Sequence, residues 1–226
     1  MDWSLYPDIA EASSFQIALQ REFDRAGHDL EARLLSSPGW RDVAAVVRDE
    51  DRSVDVVMGS EERVFTLQFW ASGVQLAHGN TAQLAAVAES IRIWLSGVPV
   101  RQLNAACPFA EFSPWSEACE RGEGIEFTWQ QHLANPWQAA RLRALHSFLA
   151  AAARQPRLRA LYPFTSHDNL GFRPAVRYTK AVGLWTEPLG DDRCRVYGPG
   201  RKEAGAADAA GSVELALAVL DTIAQE

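Results

Sequence analysis

Between Val43 and Ala77 the chain runs through four short apolar segments, and that pattern leaves little freedom in the choice of fold. Val43–Val47, Val54–Met58, Phe65–Phe69 and Val74–Ala77 are β-branched or aromatic and separated by polar turns, which predicts an antiparallel meander. In the third segment Phe65, Leu67 and Phe69 alternate with Thr66 and Gln68, so one face of the sheet needs a cover. The segment from Thr81 to about Ser96 supplies one. Its Leu84, Val87, Ala88, Ile91, Trp94 and Leu95 form an apolar helical stripe, with Thr81 as cap and Gly97 as stop. An earlier helix is predicted from about Asp8 to Ala26, capped by Asp8 after Pro7, carrying Phe15, Ala18, Leu19 and Phe23 and ending at Gly27.

The second half has a different order. Residues 98–127 read as irregular, with Pro99, Pro108, Pro114, Gly122 and Gly124. Asn135-Pro136 is a helix start, giving a helix to about Arg154, and Pro156 allows a short one through Leu161. Leu170–Arg173, Val176–Thr179, Gly183–Thr186 and Arg193–Tyr197 are predicted strands of a second small antiparallel sheet. Gly198–Gly211 reads as a mobile loop, and Ser212 caps a closing helix with Val213, Ala216, Leu217, Leu220 and Ile223 on one face. The fold class is therefore α+β: N-terminal helix, antiparallel meander and helix, then helices, a second small sheet and a C-terminal helix. Three spans follow: an acidic half over 1–105, an apolar Pro/Gly-rich connector over 106–127 packed between halves, and a half with basic helices over 128–226. Cys107-Pro108-Phe109-Ala110-Glu111-Phe112 is too apolar for a free linker, which argues for one compact unit.

Composition narrows the functional classes. With 226 residues and 47% hydrophobic content the chain can bury a substantial core. Its longest apolar run, Phe148–Ala153, is far short of the roughly 20 residues of a membrane span, so no membrane association is expected. The N-terminus lacks the basic start and apolar middle of a secretory signal, which points to the cytoplasm. Cys107, Cys119 and Cys194 form no C-x-x-C pair, so reduced thiols are expected and neither a disulfide framework nor a zinc site. No metal and no cofactor is indicated. Of the net charge of −7, residues 1–110 hold fifteen acids against nine bases and residues 111–226 fourteen against thirteen. Within the second half, Arg141, Arg143, Arg154, Arg157, Arg159, Arg173, Arg177 and Lys180 face one acid, Asp168, over forty residues.

Phosphate-loop, dinucleotide, zinc-protease and nucleophile-elbow signatures are all absent. The five histidines are dispersed. The segment richest in hydrogen-bonding side chains is Tyr162-Pro163-Phe164-Thr165-Ser166-His167-Asp168-Asn169, placed between a helix and a strand, where loop chemistry sits. One reading makes His167 a general base oriented by Asp168, with Ser166 or Thr165 binding substrate and Tyr162 and Asn169 lining the site. Adjacent residues seldom converge on one reacting atom, and the alternative is side-chain capping of the turn. A second polar region brackets a strand with Trp70-Ala71-Ser72-Gly73 and His78-Gly79-Asn80-Thr81, making Trp70 and His78 candidate ligand contacts. The basic stretch, with Arg157, Arg159, Arg173 and Arg177, allows solvated helix faces, pairing with the acidic first half, or capture of an anionic ligand. Nucleic acid is disfavoured by the acidic balance and the missing recognition motifs. Trp115, Trp129, Trp137 and Trp185 lie near turns or the irregular middle, where an indole supports recognition.

Phe69-Trp70-Ala71-Ser72-Gly73-Val74-Gln75-Leu76-Ala77-His78-Gly79, Trp94-Leu95-Ser96-Gly97, Cys107-Pro108-Phe109 and Arg157-Leu158-Arg159-Ala160-Leu161-Tyr162-Pro163-Phe164-Thr165-Ser166-His167 together resemble a large actinobacterial domain family of unknown function. The resemblance spans roughly residues 40–220, and the Gly198–Gly211 segment departs from it by lacking a strand. Members of that family are often labelled natural-product biosynthesis proteins. The resemblance and the charge placement imply an accessory or recognition protein of peptide natural-product assembly, binding an anionic peptide or protein partner. The alternatives are an enzyme of the same context using His167 and Asp168, and an immunity or inhibitor protein working through its acidic half.

Overall fold

The computed structural model describes residues 2–34, 43–135, 142–177, 182–189 and 192–224. The chain is α+β, with two antiparallel sheets, and divides into two compact units, Met1–Glu120 and Arg121–Glu226. The division falls inside the span expected to connect the halves. No helix among the described residues is long and apolar enough to cross a membrane.

In the first unit the expected N-terminal helix is two, α1 (Pro7–Ala12) and α2 (Phe15–Ala26). Ser13 turns left-handed (φ 68°) and Ser14 restarts the helix, its Oγ accepting from the Ile17 amide at 3.1 Å. Asp8 lies inside the first turn and does not cap it. The four predicted strands form, and two short unpredicted ones flank them: β1 (Arg33–Leu34), β2 (Ala44–Asp49), β3 (Arg52–Met58), β4 (Phe65–Ala71), β5 (Val74–Thr81) and β6 (Ala110–Glu111) lie side by side in that order. Two hairpin tips are tied together, since Ser72 donates through its amide to Asp51 O (2.8 Å) and through its hydroxyl to the Asp51 carboxylate (2.7 Å). Val54, Val56, Phe65, Leu67 and Phe69 bury one face against Phe15, Leu19 and Phe23 of α2 and Val87, Ile91 and Trp94 of α3 (Leu84–Leu95). Thr81 ends β5, and the position before the helix, Gln83, makes no side-chain cap. Arg52 finishes the other end of α3: its guanidinium donates to the carbonyls of Trp94 and Val98 and lies 4.1 Å over the Trp94 ring.

Tyr6 is fully buried, and its hydroxyl accepts from the Val64 amide at 3.1 Å while facing the carbonyls of Gly59, Glu62 and Val64 at 3.0–3.1 Å. Tyr6→Phe strands those groups without changing the packed ring. The expected cost is about 1–3 kcal/mol, read as a lower urea midpoint at unchanged slope.

Residues 98–127 are more regular than their composition suggests, holding α4 (Val100–Ala106), β6, α5 (Pro114–Glu120) and the start of α6 (Gly124–Ala134). Cys107 and Ala110 are buried in the first core with Phe109 and Phe112 against it. Gly79 admits that crossing, because a Cβ there would lie 2.3 Å from the Phe109 carbonyl oxygen.

In the second unit Asn135 is the C-cap of α6, and the helix start expected from Pro136 lies outside the described residues. α7 (Arg143–Ala152) and α8 (Pro156–Arg159) follow. Five strands form the sheet: β7 (Tyr162–Ser166), β8 (Asn169–Arg173), β9 (Trp185–Pro188), β10 (Cys194–Tyr197) and β11 (Glu203–Ala207), in the spatial order β11-β10-β9-β8-β7. Val176 and Arg177 lie in a bend, and the rest of the strand expected over Val176–Thr179 falls outside the described residues. The Gly198–Gly211 segment is not an open loop: it contains a short 3₁₀ turn, the edge strand β11 and the first turn of α9 (Ala209–Ile223). Asp208 caps α9, its carboxylate accepting from the Gly211 amide at 2.9 Å, while Ser212 is buried and donates to the carbonyls of Cys194 and Ala207. Leu170, Phe172, Cys194 and Val196 bury the helix-facing side of the sheet against Trp129, Leu145, Phe148, Leu149, Val213 and Ala216.

Candidate functional site

Alternation along a strand sends successive side chains to opposite faces, so once Leu170, Phe172, Cys194 and Val196 enter the core, their neighbours must line the other face. Phe164, Gly171, Trp185 and Tyr197 are successive cross-strand partners and form one row across β7, β8, β9 and β10. Phe164 and Trp185 meet edge to face, with ring centroids 5.2 Å apart at 81°. They close over Gly171, where a Cβ would lie 2.6 Å from the Phe164 ring and 2.8 Å from the Trp185 ring. The glycine is needed here for space, since its backbone is not left-handed.

Two guanidinium groups lie on this row. Arg173 sits 4.1 Å from the Phe164 centroid, and Arg201 sits 4.3 Å from Trp185 and 5.9 Å from Tyr197. Arg201 reaches that position from a backbone that is left-handed at both Gly200 (φ 65°) and Arg201 (φ 63°), a conformation uncommon for a residue with a side chain. The acids of the face are engaged elsewhere: Tyr197 donates to the Glu187 carboxylate at 2.5 Å, and Arg195 lies 3.5 Å from both Glu187 and Glu203. Among the described residues Arg201 has no carboxylate within 4 Å. Stacked on Trp185, the Arg201 guanidinium keeps its N–H edge available for two-point binding to a carboxylate or phosphate.

The structure gathers part of the predicted set onto this face and scatters the rest. Tyr162, Ser166, Asn169 and Arg173 share the face by register. Thr165 pairs with core-facing Leu170 and takes the opposite side. The Tyr162–Asn169 segment is a β-hairpin, and His167 and Asp168 are its two exposed turn residues, with φ of 50° and 63°. Two successive positive φ values mark the type I′ turn, whose twist matches paired strands. Ser166 Oγ and His167 Nδ1 are 3.1 Å apart. Arg157 pairs with Asp221 at 2.7 Å on the surface. Arg159 pairs with Glu126 at 2.5 Å and covers the Trp129 ring at 5.2 Å, holding the Glu126 carboxyl below its ordinary pKa. Arg143 approaches Asp192 at 4.0 Å, so several arginines of the basic stretch meet acids of their own unit; Arg177 is exposed in a bend. Of the four flagged indoles, Trp185 is on the row, Trp129 is in the core, Trp115 is half-buried on α5, and Trp137 is outside the described residues.

Trp70 and His78 belong to the first unit. His78 is exposed, its Nε2 4.0 Å from Glu111. Trp70 lines a cavity of about 380 Å³ with Arg48, Asp51, Ser53 and Asp55. Burial raises the Asp55 carboxyl above its ordinary value, opposed in part by Arg48 and the nearby Trp70 N–H, yet Asp55 Oδ1 and Trp70 Nε1 complete no hydrogen bond by distance and angle. A carboxyl whose folded pKa is raised favours folding when protonated and loses that advantage as pH rises past the ordinary value of 3.8 and through its folded pKa. Asp55→Asn is therefore expected to raise the denaturation midpoint at pH 7 and to leave it nearly unchanged at pH 3.

No group of three or more metal-binding side chains occurs among the described residues. The cysteines are unpaired, and burial pushes the Cys194 thiol up to about 12 and Cys119 up to about 11, which keeps both protonated and unreactive at neutral pH.

A family model described as a family of unknown function (DUF6193) matches residues 123–222. The match covers the second unit from the start of α6 to near the end of α9 and takes in the whole aromatic row. It leaves out Phe69–Gly79, Trp94–Gly97 and Cys107–Phe109, so the likeness shown is confined to the second unit and narrower than residues 40–220. No curated protein and no solved structure matches the chain.

Proposed function

We propose that the second unit is a recognition module that binds an acidic peptide or protein segment across the outward face of its five-stranded sheet. The observation behind this reading is the aromatic pair closed over Gly171 and flanked by the stacked guanidinium groups of Arg173 and Arg201. Rings supply apolar area at low conformational cost, and stacked arginines supply pre-set anion contacts. The wider context is an accessory role in actinobacterial peptide natural-product biosynthesis, which rests on the sequence resemblance. Calorimetry against a synthetic acidic peptide of leader-segment length tests it. Binding that weakens with added salt and drops about tenfold in Arg201→Glu supports the reading; absence of binding at low salt rejects it.

The Ser166–His167 contact of 3.1 Å favours a second, acid–base reading. In a reconstituted pathway, His167→Ala is expected to leave turnover unchanged, because the imidazole sits on an exposed turn. Loss of product from a folded His167→Ala protein would favour the enzyme.

A further inference from the structure

The first unit carries a polar cavity of its own, on the face of its sheet turned away from the core. The alternation that buries Val47, Val54, Val56 and Phe69 sends Arg48, Ser53, Asp55 and Trp70 to the other side. Arg48, Ser53 and Trp70 are successive cross-strand partners on β2, β3 and β4, and Asp55 follows Ser53 by two residues, diagonal to Arg48. Together they line the cavity of about 380 Å³, whose rim includes the hairpin tips fastened by the two Ser72–Asp51 bonds. We infer that this cavity binds a free α-amino acid, with Arg48 taking the carboxylate and Asp55 the ammonium group.

Charge placement carries this. The field of Arg48 reaches the Asp55 carboxyl, yet the two form no ion pair within 4 Å, and among the described residues neither has another oppositely charged partner at that distance. Other charges of the lining are already engaged: Arg52 donates to the carbonyls of Trp94 and Val98, and Asp51 accepts from Ser72. Asp55 Oδ1 and the Trp70 indole N–H are buried without a completed hydrogen bond, a state that costs free energy until a partner arrives. The ligand that suits this wall therefore carries both signs of charge. A simple amine would answer Asp55 and leave Arg48 open. A simple acid would answer Arg48 but bring like charge toward Asp55 and toward Glu50, exposed at the rim. An amino acid answers both, since its ammonium and carboxylate groups hang from one carbon. The volume lies within the roughly 300–1,000 Å³ of small-molecule sites and leaves room for a side chain against Trp70.

The experiment uses the full chain labelled with nitrogen-15, its Trp70 indole resonance identified by its loss in Trp70→Phe. Each standard amino acid is titrated in turn, with the amide and the N-acetyl derivative of the best binder as single-charge controls. At least one amino acid is expected to shift the Trp70 resonance in a saturable way, and both derivatives are expected to bind about tenfold more weakly or worse. Arg48→Gln, an exposed change, and Asp55→Asn are each expected to weaken binding about tenfold. Because Asp55→Asn is also expected to raise the denaturation midpoint at pH 7, its loss of binding is separable from unfolding. Absence of a saturable shift with every standard amino acid would overturn the inference. Equal binding of either derivative would overturn it too, marking a plain anion or cation site, as would binding that neither substitution weakens. None of these outcomes touches peptide recognition by the second unit, whose test is separate.

Discussion

Phe172→Ala is expected to lower the stability of the protein by about 3–5 kcal/mol. Phe172 is fully buried on β8, with ring centroids 6.1 Å from Trp129 and 6.5 Å from Phe148. Trp129 cannot easily move in to fill the space. Its indole N–H donates to the Leu161 carbonyl at 2.9 Å, and Arg159, held by Glu126, lies over its ring. The void would therefore stay open, and the cost should include a cavity contribution as well as lost burial. Phe172 also lies between Gly171 and Arg173, directly behind the aromatic row, so binding of the acidic peptide should weaken together with stability. Urea denaturation followed by far-ultraviolet circular dichroism gives the measurement. A midpoint shift worth less than about 1 kcal/mol would contradict the packing described.

The sequence reveals the first unit better than the second, and the reason lies in residue type. Phe65-Thr66-Leu67-Gln68-Phe69 alternates cleanly, and every one of its apolar residues is buried. β11 gives no such signal, because Glu203-Ala204-Gly205-Ala206-Ala207 has no β-branched or aromatic residue. It is a strand because it pairs with β10 and lies beside α9, a tertiary cause invisible in local propensity. The hairpin at His167-Asp168 was hidden for a related reason. Asn-Gly would announce a type I′ turn, whereas His-Asp reads as a loop with chemical groups. Once the turn is placed, Tyr162, Phe164 and Ser166 fall on one side and Asn169, Gly171 and Arg173 pair with them. The row thus follows from register, and register depends on the turn. Arg201 and Tyr197 were out of reach altogether, since they join the row through the β9–β10 pairing and the left-handed backbone after Gly198.

Gly171 offers a test in which the sign of the result matters as much as its size. At a roomy strand position, replacing glycine by valine is favourable by up to ~1 kcal/mol, through lower backbone entropy in the unfolded chain and better β-propensity. Gly171 is not such a position. A Cβ would lie 2.6 Å from the Phe164 ring and 2.8 Å from the Trp185 ring, and each ring is backed by the other. Overpacking of this kind costs about 1–3 kcal/mol, and valine, with two more methyl groups, should reach the upper end while alanine stays lower. Both variants should part the Phe164–Trp185 pair and change the near-ultraviolet circular dichroism. In both, affinity for the acidic peptide should fall while its salt dependence, carried by Arg201, persists. Neutral or stabilising behaviour of Gly171→Ala, with peptide binding intact, would mean that the rings yield freely and the row is no fixed platform. Destabilisation with loss of peptide binding would tie the absence of one methyl group to what this face can recognise.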